Sequence, residues 1–184
     1  AIPGHAFQGL MQLRLSNPIR NLPFSRDTVS AEGWAVYLEE MFIQAGLYDG
    51  RPRARENAYI AQLFRAVRVP AELNMQTGKW TADDVIKFWL AEVPMMETNL
   101  ARQDATHGLR RPSELINTVT GKWQVEHLLA DRKRQLGDKF DLGEFHRLRN
   151  HQGHVGQRAI GLAALHERAD ALDDLAGALG LTRG

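Results

Sequence analysis

At 184 residues and 43% hydrophobic content, the chain is long enough to bury one good core and shows no clear second one, so a single domain over residues 1–184 is expected. Its 23 Lys and Arg nearly balance 22 Asp and Glu, and a net charge of +1 supplies no field that would draw in nucleic acid or an anionic membrane, so neither is expected as a partner. The lack of cysteine excludes disulfides, thiolate metal sites and cysteine nucleophiles without choosing a compartment, and no uncharged apolar run approaches the roughly 20 residues that span a bilayer.

Breakers fall between apolar segments of helical period and alternating β-branched runs are few, so an all-α, multi-helix domain is predicted. A first helix over about residues 4–15 gives way to "SNPIRNLPFSRDTVS", an expected surface loop. The second, over about 30–45, carries Trp34, Leu38, Met41 and Ala45 on one stripe and stops at Gly46. The third, over about 53–73, has Ile60, Leu63 and Val67 at core spacing, and Pro70 is expected to kink or end it. Thr81 and Asp84 read as a capping box for a fourth helix containing Val85, Phe88 and Trp89. Pro94 is expected to start a fifth, with Glu97 in its first turn, and Pro112 a sixth reaching about Leu136. Asp141 caps a short seventh, and a long last helix is expected over about 155–179. "TGKW" occurs at 77–80 and again at 120–123 with unlike flanks, which reads as coincidence rather than as a repeat.

His5 in "AIPGHAFQ" and Glu32 in "SAEGWAVYLEEM" fall on the first two helices. A helix bearing His, followed a few dozen residues on by one donating Glu, is how one class of hydrolytic zinc site is built. With the opposite reading, His5 is a polar helix residue and Glu32 a partner of the helix dipole. Gln8, one turn after His5, and Glu39, two turns after Glu32, are candidates to orient such ligands. Arg65 and Arg68 could grip a substrate carboxylate bidentately, although exposed helix arginines are commoner. His146, His151 and His154 form a second cluster, but Arg147 and Arg149 intrude and Gly153 suggests a helix end, where imidazoles satisfy terminal carbonyls. No serine lies in a Ser-His-acid pattern and no glycine-rich phosphate loop is present.

"IPGHxxQ", "EGWAxYxEE", "RAVR", "TGKW", the "GK" of the sixth helix and "LGDKFDLGEFH" occur in this order over nearly the whole chain. In this the sequence resembles the C-terminal part of the bacterial domain-of-unknown-function family eight-eight-five. That resemblance implies a helical relative of the gluzincin-type zinc metallopeptidases, whose motif reads His-Glu-x-x-Pro-Gly-His with a downstream Glu-Gly-Trp. By it, His5 and Glu32 are two zinc ligands, Tyr37 belongs with the substrate contacts, and the third ligand and general-base Glu precede Ala1. The missing His would stand six residues before His5, about 240° around a regular helix, so Pro3 and Gly4 would have to distort it.

The resemblance also has departures. Ala6 stands where the family usually has a second His, Glu72 and Gln76 where it tends to have Asp and His, and Thr118 where a Tyr is expected. "FHD" has become Phe145-His146-Arg147. The resulting expectation is a zinc-dependent, peptidase-like hydrolase domain that acts on a peptide or small molecule. It would be the larger C-terminal part of a bigger fold, completed by a missing N-terminal segment or a companion chain, and its catalytic groups are not identified. The competing expectations are an inactive helical scaffold that binds a partner or small molecule, and an enzyme redirected to a small metabolite.

Overall fold

A computed structural model describes residues 4–14 and 27–151, with Asn150 and His151 described by backbone alone. The loop at 16–26, His154 and the expected helix over 155–179 lie outside the described residues. Within them the regular elements are helical and none is a strand: α1 (His5–Leu13), α2 (Thr28–Gln44), α3 (Pro52–Gln76), α4 (Ala82–Glu92), α5 (Thr98–Arg110), α6 (Glu114–Leu136), a 3-10 turn (Gly137–Lys139) and α7 (Leu142–His151). The fold is all-α.

The middle of the fold is the pairing of α2 with α6. Asp27 caps α2 by accepting the Val29 N–H at 3.1 Å, so the helix begins slightly before the expected Ser30. Its buried residues are not one stripe. Ser30, Ala31, Gly33, Trp34, Val36, Tyr37 and Leu38 are all covered, as in a helix packed on several sides, while Ala45 is exposed beyond its end. Contacts rise together along the two helices, from Thr28 with Asn117, through Gly33 with Gly121, to Glu40 with Lys122, so α2 and α6 run in the same sense. At the crossing the backbones touch. A Cβ on Gly33 would stand 2.1 Å from the Gly121 carbonyl carbon, and one on Gly121 would stand 1.9 Å from the Val29 oxygen.

A second apolar cluster joins α3, α4, α5 and the start of α6 through Ala71, Met75, Val85, Trp89, Ala105 and Leu115. α3 reaches it with Phe64, Val67, Ala71 and Met75, whereas Leu63, expected at a core position, is 40% exposed. Nor does Pro70 end α3, which continues to Gln76. Proline leaves the Ala66 carbonyl without its helical donor, but the Asn74 amide donates to the Pro70 carbonyl at 2.8 Å and the packed Ala71 and Met75 hold the last turns in place. The capping box of α4 forms as read, with Asp84 N–H on the Thr81 hydroxyl and Thr81 N–H on the Asp84 carboxylate. Pro94 and Pro112 do not open helices. Each precedes a residue of positive φ, Met95 at 61° and Ser113 at 75°, so both occupy turns, and α5 and α6 start at Thr98 and Glu114. The two "TGKW" copies play unrelated parts: Gly78 has φ of 70° in the turn after α3, and Gly121 is the α2–α6 contact.

Candidate functional site

α1, α2 and α3 enclose a cleft of about 610 Å³. α1 contributes His5, and α2 contributes Glu32, Val36 and Glu39, which fall on one face because seven residues make nearly two whole turns. Ala54, Ala58 and Ala61 of α3 recur at the same helical period and keep part of the far wall low, with Asn57, Arg65 and Arg68 of the same helix beside them. Thr118 reaches the cleft from α6, its hydroxyl donating to the Leu115 carbonyl at 3.4 Å.

Within this cleft His5 Nε2 stands 3.3 Å from Glu32 Oε2, each side chain about one-third exposed. The Gln8 carbonyl oxygen lies 3.0 Å from His5 Nδ1, and Gln8 itself is 4% exposed. That contact fits a proton on Nδ1 and a lone pair on Nε2, directed to the Glu32 side. Two ligands about 2.0–2.1 Å from a tetrahedral zinc are separated by roughly 3.3–3.4 Å, so this N and this O have the spacing that such an ion needs. An imidazolium–carboxylate pair has the same spacing. Among the described residues, no group of three or more His, Cys, Asp or Glu side chains is gathered to hold an ion.

The remaining sequence candidates divide. Glu39 borders the cleft and accepts two hydrogen bonds from Arg65, at 2.6 and 2.9 Å, which ties α2 to α3 rather than orienting Glu32. Arg68 also lines the cleft, pairs bidentately with Asp104 at 2.6 and 2.7 Å, and lies 4.3 Å from the Phe64 ring centre. A substrate carboxylate would have to displace Glu39 or Asp104 to reach either guanidinium. Tyr37 is not in the cleft. Five residues beyond Glu32 it is turned about 140° around α2, is 5% exposed, and its hydroxyl is 2.9 Å from His146 Nε2. Burial, helped by the Glu126 charge, pushes the Tyr37 phenol up to about 12.

His146 is therefore a packed residue of α7, edge-on to Trp34 and Tyr37, while the side chains of the other two members of its expected cluster, His151 and His154, lie outside what is described. Burial and the neighbouring Arg149 charge hold its imidazole below the usual histidine value. Arg149, in sequence only a charge intruding on that cluster, has a structural place of its own. It is 1% exposed, donates to the carbonyl and hydroxyl of Ser30 at 2.7 Å each, and lies 4.7 Å from the Trp34 ring centre. The signal available was its place four residues after the core Phe145. Glu72 and Gln76, noted as departures, hold α3 to its neighbours: Glu72 accepts the N–H groups of Ser113 and Ile116, and the Gln76 amide donates to the Gly108 carbonyl at 3.0 Å.

Comparison with known proteins agrees with the helical architecture. A provisionally named lipoprotein from Colwellia psychrerythraea has a crystal structure that matches with a TM-score of 0.81 at 26% identity, over 92% of this chain and 29% of that one. The chain thus spans under a third of that protein's length, the smaller rather than the larger share. No curated protein matches it. The family model described as "Bacterial protein of unknown function (DUF885)" matches residues 1–160, and the chain belongs to that family.

Proposed function

We propose that this domain is part of a zinc-dependent, peptidase-like hydrolase site in which His5 and Glu32 are two metal ligands. The observation that carries the reading is the 3.3 Å approach of His5 Nε2 to Glu32 Oε2 beside an open cleft. A zinc ion held there would supply Lewis acidity to polarise a carbonyl or acidify a bound water. This chain's own residues do the positioning. Gln8 orients the His5 ring, the Glu39–Arg65 and Arg68–Asp104 pairs fix α2, α3 and α5 around the cleft, and the short side chains of Ala54, Ala58 and Ala61 leave room for an extended peptide or a small molecule. The remaining ligand and the general base belong, on this proposal, to polypeptide outside residues 1–184.

A second reading, a helical scaffold that has lost catalysis, draws support from Glu72 and Gln76, whose hydrogen bonds are structural. Elemental analysis of protein purified from its native source separates the two. The hydrolase reading expects about one zinc per assembly, removed by Glu32→Gln while the helical circular dichroism is kept. Metal absent from the native protein, or unchanged in Glu32→Gln, would sink the ligand assignment. Cleavage across a peptide panel then tests whether a bound ion serves peptidase chemistry or a reaction on a small metabolite.

A further inference from the structure

The first half of α3 is thinly packed, held mainly by Phe64 against Trp89 and by the Arg65–Glu39 pair at its end. Between residues 52 and 66 no side chain is buried, whereas Ala71, Glu72 and Met75 are. A helical stretch of this length with so little tertiary support is marginal in water. Tyr59 and Leu63 are nevertheless 48% and 40% exposed and, with Ile60 and Pro52, form an outward apolar face. The charges in the first turns also disagree with an isolated helix. Arg51, Arg53 and Arg55 stand at the positive end of the α3 dipole, the first turn has no acidic residue, and no described carboxylate pairs with any of the three. Both features call for a covering partner with apolar and acidic residues.

We infer that the Pro52–Tyr59–Leu63 face of α3 is a docking surface for a carboxylate-flanked apolar helix, contributed by the same gene product outside residues 1–184. In the Colwellia psychrerythraea protein the matched part is 29% of the chain, so more than two-thirds of that polypeptide is available to cover such a face. The alanines at 54, 58 and 61 line the cleft from the same stretch of α3, so the docked helix would fix the wall facing His5 and Glu32. This inference rests on the split-site reading above and assigns the surface on which the missing part seats.

The test places a photo-cross-linking benzoylphenylalanine at position 59 of the intact gene product in its native host, with position 87, on exposed α4 surface, as the control. The expected result is a cross-link from 59, and not from 87, to a peptide of the same gene product outside residues 1–184. Arg53→Glu with Arg55→Glu should lower its yield severalfold. A link to residues 1–184 of a second copy, a link to an unrelated protein, or no link would each overturn the inference. Zinc content is read separately, so loss of the ligand assignment would leave a positive cross-link standing, and the reverse.

Discussion

Glu72 is 1% exposed, and its carboxylate faces backbone N–H groups at the start of α6, where the helix dipole is positive. It acts as a cap supplied from another helix, because Ser113, the residue at the capping position, has left-handed backbone and makes no side-chain cap. Glu72→Gln keeps the shape but removes the charge and turns an amide NH2 toward an N–H. Urea denaturation is expected to show a loss of about 2–3 kcal/mol, against less than about 0.5 kcal/mol for Glu56→Gln on exposed α3 surface. A Glu72→Gln loss as small as the Glu56→Gln one would show that the cap is not needed. The sequence could not show this role because the Ser113 N–H lies 41 residues away. His5 and Glu32 are legible as a pair because a local motif marks each, whereas the family resemblance puts Tyr37 with the substrate contacts and helical geometry turns it away from Glu32.

At the scale of elements, seven helices could be read from periodicity and caps, and the errors fall where tertiary contacts decide. Pro70 reads as a helix end until the packing of Ala71 and Met75 is known. Pro94 and Pro112 read as helix starts, but the positive φ of the residues after them makes them turn residues. The glycines of the two "TGKW" copies look alike in sequence and differ in what they do. Gly121→Ala would force a methyl into the Val29 carbonyl, with relief possible only by separating α2 from α6, so a loss of about 3 kcal/mol or more is expected. Gly78→Ala has open space around it and carries only the left-handed backbone penalty of about 1–2 kcal/mol. Thermal or urea unfolding of both variants checks the ranking. Equal losses would mean that the α2–α6 crossing is not sterically fixed by glycine.

For the whole molecule, the contact of α7 with α2 links stability to pH. His146 faces the Tyr37 hydroxyl and the Trp34 ring on α2, Arg149 stands near it on α7, and Glu126 of α6 acts on Tyr37. Because burial and Arg149 hold the His146 imidazole below its ordinary 6.5, the unfolded chain takes up this proton first as pH falls. Stability from this group is therefore full above about 6.5 and declines as pH drops from there toward the folded-state value. On the alkaline side two shifted groups act in opposite directions. Tyr37, raised from 10.0 to about 12, makes the folded state hold a proton that the unfolded chain loses, while Arg149, lowered from 12.5 to about 10, does the reverse. Between pH 10 and 12 the two contributions oppose each other. Urea midpoints measured from pH 7.5 down to 5 should fall with acidity in the parent protein and fall less in His146→Gln, which cannot take up that proton. Equal slopes in parent and variant would show that the α7–α2 contact does not depend on a neutral His146.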